Sequence, residues 1–164
     1  MGDDSNPYAA PQGRLVAEGG GPYGEVRVFS AEGRLNRLRY LAYVFGLTFL
    51  INLVSSAITA ALAGMEVPVA AVTIASGIAS LWISILLTIQ RVHDFSASGW
   101  WSALAVIPLV TLIFAIIPGH GEENRFGLEP PPNTFGVYLV ATLAIGVPIL
   151  GIVAAIVIPQ LAQG

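Results

Sequence analysis

Residues 40–64 read YLAYVFGLTFLINLVSSAITAALAG, with no charged side chain anywhere in the stretch. At about 1.5 Å rise per residue, a helix of this length crosses a hydrocarbon core about 30 Å thick. Three further uncharged stretches follow: Val67–Ile89, Trp100–Pro118 and Phe135–Ile158. With 10% charged residues and a mean hydropathy of +0.75, the chain reads as an all-α integral membrane protein with four transmembrane helices. In such a chain, close packing and interhelical hydrogen bonds hold the inserted helices together.

The 164 residues leave no room for a second soluble domain once four spans are placed. Residues 1–32 are polar, rich in glycine and proline, and are expected to form a disordered cytoplasmic tail. No apolar signal-peptide core precedes the first span, so that span is expected to act as the signal anchor. The absence of cysteine excludes disulfides and thiolate metal sites.

Basic residues orient the spans. Arg14, Arg27, Arg34, Arg37 and Arg39 precede the first span, and Arg91 lies in the 90–99 loop. Only Arg125, among three glutamates, lies in the loop Gly119–Thr134. Six arginines against one put the N-terminus and the 90–99 loop in the cytoplasm. Four full spans then return the C-terminus to the cytoplasm and leave Gly119–Thr134 outside. An alternative starts from Pro108 at the centre of the shortest stretch. A re-entrant hairpin there would gather every arginine on one side and reverse the fourth span, although ordinary spans also tolerate proline.

Polar residues on the first two spans fall in phase. Thr48, Asn52, Ser55 and Thr59 share one face of the first, and Thr73, Ser76, Ser80, Ser84 and Thr88 one face of the second. The two faces are expected to meet, with Asn52 hydrogen-bonding Ser76 or Ser80. The fourth span is almost wholly aliphatic and is expected to be peripheral. Gly33–Arg39 suits an interfacial helical turn whose arginines reach lipid phosphates.

Between the second and third stretches the chain reads Arg91-Val-His93-Asp94, then Ser98-Gly-Trp100-Trp101. Arg91 and Asp94 are one helical turn apart and can pair. Ser96 or Ser98 can cap the next helix, and the indoles suit the headgroup boundary. After the third stretch come Pro118-Gly119 and Asn124-Arg125-Phe126-Gly127. Together with Gly33-Arg34-Leu-Asn-Arg37-Leu-Arg-Tyr40, these pieces resemble the domain of unknown function 805 family of small bacterial inner-membrane proteins. The resemblance covers Gly33–Pro130 and implies a three-span domain over 33–130, with 131–164 as an additional C-terminal helix. It implies a helical bundle of the bacterial cytoplasmic membrane and no particular activity. Leu41 departs from the tryptophan usual in the family, and Leu128 from a common proline.

The candidate site is a cytoplasmic interfacial cluster of Arg34, Arg37, Arg91, His93 and Asp94, with Asn124 and Arg125 as an outer-loop motif. His93, with an unperturbed pKa of about 6.5, is a candidate pH-responsive group. No phosphate loop, serine elbow or zinc-helix motif is present. A metal site needs three or four convergent ligands, and His120 is expected across the membrane from His93. The expectation is therefore no enzyme, no cofactor and no metal. Anionic headgroups at the arginines, a membrane-protein partner or a homo-oligomer are the expected partners. Nucleic acid is disfavoured, since the chain has no lysine and its arginines are accounted for by orientation. A small-solute channel or carrier working as an oligomer is the alternative function.

Overall fold

A computed structural model describes residues 23–65 and 68–161. Four α-helices and one 3-10 helix form the chain: α1 Arg37–Ala61, α2 Val69–Asp94, the 3-10 helix Gly99–Val106, α3 Pro108–Ile116 and α4 Phe135–Leu161. Three of them, α1, α2 and α4, are long and apolar enough to cross a membrane.

Local chemistry sets the boundaries. Asn36 caps α1, its Oδ1 accepting the Arg39 amide at 2.9 Å. At the far end of α2, Ser96 takes a positive φ of 60°. The Ala97 amide donates to Val92 and the Ser96 amide to His93, the paired bonds of a Schellman stop. Within the third apolar stretch, Ile107 is extended because it precedes Pro108, and that ends the 3-10 helix. Proline is then tolerated as the opening residue of α3.

Where four full spans were expected, the third stretch is not one helix long enough to cross but two short ones. Its 3-10 helix of 8 residues is about 16 Å long and the 9-residue α3 about 14 Å. Both ends of the stretch dock on the C-terminal end of α2. At one end, a β-carbon on Gly99 would lie 3.4 Å from His93 Nε2. At the other, the carbonyls of Phe114 and Ile117 accept from Arg91, and the His120 amide donates to the Asp94 carbonyl at 2.8 Å. The stretch goes in and comes back, as in the hairpin alternative.

The loop after the third stretch consequently shares one end of the bundle with the 90–99 loop, and His120 does not lie across the bundle from His93. Its Nδ1 is 3.4 Å from Ser96 Oγ. The first turn of α4 sits beside the first turns of α1, with Val137 and Ala141 buried against Ala42. Further along, α1 has Gly46 opposite Val140, where a β-carbon would come within 3.0 Å of Val140 Cγ1. The two helices run parallel, and α4 ends at the opposite end of the bundle from the arginines.

The polar faces of α1 and α2 are covered only in part, Asn52 and Thr73 being exposed. Thr48, Ser55 and Thr59 on α1, and Ser76, Ser80 and Ser84 on α2, are half-buried. Tyr40 and Thr88 make the cross-helix hydrogen bond, at 3.1 Å. The expected bond from Asn52 to Ser76 or Ser80 is absent: Asn52 is exposed and donates back to the Thr48 carbonyl at 2.7 Å. Ser76 likewise bonds the Thr73 carbonyl of its own helix. The fourth helix packs on α1 alone and is buried only at Val137 and Ala141.

Residues 23–32 are laid across the bundle, a correction to the expected disordered tail; residues 1–22 lie outside the described residues. Val26 and Val28 pack against the core formed by Leu35, Tyr40, Leu87, Val92 and Phe114. The Gln90 amide holds the strap by donating to the carbonyls of Arg27 (2.7 Å) and Ser30 (2.6 Å).

Candidate functional site

At the arginine-bearing end, four chain segments meet around one carboxylate. Asp94 comes from the last turn of α2, Arg91 from one turn earlier, Arg34 from the segment before α1, and the carbonyl acceptors from residues 114–127. The two guanidinium side chains are fully buried and the carboxylate is 4% exposed. Charges withdrawn from water this completely require complete pairing, because desolvation otherwise exceeds the Coulombic gain.

Hydrogen bonding is complete here, and backbone carbonyls support the one positive charge that Asp94 leaves unmatched. Arg34 donates to Asp94 Oδ1 from Nε (3.3 Å) and Nη2 (3.2 Å), and its Nη1 donates to the carbonyls of Glu122 (2.6 Å) and Gly127 (3.1 Å). Nη2 also donates to the His120 carbonyl. Arg91 donates from Nε to the Phe114 carbonyl (2.9 Å) and from Nη1 to the Leu35 carbonyl (3.2 Å) and Asp94 Oδ2. Its Nη2 donates to the Ile117 carbonyl. Every guanidinium nitrogen of both arginines is engaged. The planar fork that gives arginine several donors at fixed angles is what lets one side chain gather carbonyls from separate segments.

Neighbouring motif residues complete this clasp. His93 stacks on Phe126 with ring centroids 3.8 Å apart, and its Nδ1 donates to the Gly33 carbonyl at 3.3 Å. Asn124 donates from Nδ2 to the His93 carbonyl at 2.9 Å, while its Oδ1 accepts the Phe126 amide at 2.8 Å. Arg125 donates to the Ser96 carbonyl at 2.8 Å. Gly119 passes so close to Asp94 that a β-carbon there would overlap the carboxylate. Only glycine fits that position.

Of the sequence-stated cluster, Arg34, Arg91, His93 and Asp94 come together, and Asn124 and Arg125 join them from the same end of the bundle rather than from an outer loop. Arg37 stays out, exposed at the start of α1. Neither Arg34 nor Arg91 has a nitrogen left for a lipid phosphate. Three participants were not among the expected site residues: Arg39, buried and donating to the carbonyls of Pro131 (3.1 Å) and Pro132 (2.9 Å), Gln90, and Phe126. A run of three prolines offers carbonyls with no amide of its own to compete, and that is the available hint for Arg39. Among the described residues, no three metal-ligating side chains converge.

These contacts join three separated pieces of sequence: 33–40, 91–101 and 118–127. A family model described as protein of unknown function DUF805 matches residues 28–128, well over half of the chain and enclosing all three. The chain belongs to the DUF805 family. It is also similar to the inner membrane protein YhaH of Escherichia coli (strain K12), 40% identical over 45 residues. That match takes in 25% of this chain and 37% of YhaH. The YhaH of Escherichia coli O157:H7 matches to the same extent, so the chain spans well under half the length of these relatives. No solved structure matches. In DUF805 terms, the spatial meaning of the motif pieces is closure: they pin a re-entrant hairpin and its following loop onto α2.

Proposed function

We propose that the chain is an accessory, non-catalytic protein of the bacterial cytoplasmic membrane. In this reading α1, α2 and α4 cross, the hairpin caps the bundle on the cytoplasmic side, and the capped end docks on lipid or a membrane-protein partner. One observation carries it: Arg34, Arg91 and Asp94 have their polar atoms directed at one another and at backbone carbonyls, an arrangement suited to holding segments together rather than to acting on a substrate. The described names of the Escherichia coli relatives support the membrane assignment.

Orientation follows from charge. Arg27, Arg34, Arg37, Arg39, Arg91 and Arg125 all lie at one end, so the positive-inside rule puts that end in the cytoplasm and the end of α4 outside. Alkaline phosphatase fused after Gly164 should be active, and a green fluorescent protein there dark. The converse pair of signals rejects this orientation.

A specific observation favours a second reading, an oligomeric channel or carrier component. Asn52 and Ser56 are exposed on the membrane-crossing part of α1 and bond only their own helix. Polar side chains in such positions commonly pair with another helix. Efficient cross-linking of Asn52→Cys between copies in membranes, with none from Val153→Cys, supports that reading; equal behaviour of the two removes it.

A further inference from the structure

A cavity of ≈ 400 Å³ opens at the arginine-bearing end, beside the clasp. Its lining includes Asn36, Arg37, His120, Glu129, Asn133 and Tyr138. The volume lies within the range of about 300–1,000 Å³ usual for small-ligand sites. Arg37 opens α1 and Tyr138 lies in the first turn of α4, so the cavity sits at the level where the crossing segments begin. With α1 and α4 crossing as proposed above, that level is headgroup depth.

The charges around it are unequal in availability. Asp94 borders the cavity, but its oxygens are held by Arg34 and Arg91. Arg27 is paired with Glu25 and Glu32, while Arg39 and Arg125 have carbonyl acceptors. Among the described residues, Arg37 is the one arginine that makes no hydrogen bond or ion pair, and it is exposed. Glu129 is likewise exposed and, among the described residues, forms no salt bridge. A guanidinium and a carboxylate that are both unpaired among the described residues, on the same lining, match a ligand carrying one anionic and one cationic group. The carboxamides of Asn36 and Asn133, bonded to each other at 2.8 Å, add polar surface to the lining.

We propose that this cavity binds a zwitterionic phospholipid headgroup, a phosphodiester joined to a primary ammonium, with Arg37 on the phosphate and Glu129 on the ammonium. The inference deepens the accessory reading and rests on it, by naming the lipid class that the capped end engages. A guanidinium meets a phosphodiester through charge-assisted hydrogen bonds, stronger than neutral ones. A headgroup without the ammonium would leave Glu129 facing a second negative charge.

The test uses the full chain in nanodiscs containing phosphatidylethanolamine and phosphatidylglycerol in equal amounts, followed by native mass spectrometry of retained lipid. The wild type should retain phosphatidylethanolamine preferentially, and Arg37→Gln should retain roughly tenfold less. Glu129→Gln should retain both lipids equally, an arm that stands even if Arg37→Gln does not fold. Glycerophosphoethanolamine or inorganic phosphate in solution should leave retention unchanged. Equal retention of the two lipids by the wild type, or undiminished retention by Arg37→Gln, overturns the proposal. Displacement by either soluble phosphate overturns the membrane as the source. The fusion reporters read orientation independently of any of these outcomes.

Discussion

Replacing Asp94 by asparagine changes one charge and almost no volume, which makes it the sharpest probe of the clasp. The carboxylate is the one countercharge shared by two guanidinium groups that are both fully buried. In Asp94→Asn, one oxygen still accepts from Arg34, but an amide NH2 group replaces the oxygen facing Arg91 Nη1, setting donor against donor. Removing one partner of a buried ion pair costs about 3–5 kcal/mol, since the remaining charge stays buried and uncompensated. Against a total of about 5–15 kcal/mol for a typical folded protein, that is a large fraction. Detergent-solubilised protein titrated with a denaturing detergent and followed by tryptophan fluorescence gives the comparison, and Trp100 and Trp101 report from the hairpin itself. Arg125→Gln serves as the control: this exposed side chain makes one hydrogen bond and should change stability by less than about 1 kcal/mol. The double variant Arg34→Gln with Asp94→Asn should lose clearly less than the sum of the singles, as neighbours in one network do. If Asp94→Asn falls within 1 kcal/mol of wild type by this measure, the clasp does not hold the fold together, and the argument fails.

Two further substitutions examine the hairpin and the helix stop. Gly119→Val should loosen the loop by about 1–3 kcal/mol, because its side chain overlaps a carboxylate that two arginines prevent from moving. Limited proteolysis should then cut between residues 119 and 127 before anywhere else among the described loops, and an unchanged pattern would contradict the packing. Ser96→Gly should stabilise by about 0.5–1 kcal/mol, since φ of 60° is strained for serine and free for glycine. A loss of stability would mean that the contact of Ser96 Oγ with His120 matters more than the backbone strain.

Three helices were legible because long uncharged stretches have few alternatives. The sequence boundaries Tyr40–Gly64, Val67–Ile89 and Phe135–Ile158 differ from the helices Arg37–Ala61, Val69–Asp94 and Phe135–Leu161 mainly where polar residues continue the helix beyond the apolar run. Asp94 is the last residue of α2 and lies buried inside the clasp, and hydropathy carries no record of that. The third stretch escaped for a different reason. Apolar length is the same for a segment that crosses and one that turns back, and the partners that fix the return are backbone carbonyls, which leave no mark in composition. Pro108 and the gathering of all basic residues at one end were the two available signs. The pairing of Arg91 with Asp94 was readable from their spacing on one helix. Arg34 and Asp94 are 60 residues apart, and nothing local foretells their contact. Asn52 was placed wrongly because helical phase fixes a face but not how far around it the neighbouring helix reaches.

The chain contains no cysteine, so single cysteines can be introduced and labelled without background. Ser98→Cys and Gly121→Cys flank the third apolar stretch at exposed positions, and Met65→Cys marks the opposite end of α1. In intact cells, a membrane-impermeant maleimide should spare both Ser98→Cys and Gly121→Cys and modify Met65→Cys, with the first two reacting only after permeabilisation. Labelling of Gly121→Cys in intact cells while Ser98→Cys stays protected would show that the stretch crosses the bilayer, and the re-entrant hairpin would be wrong.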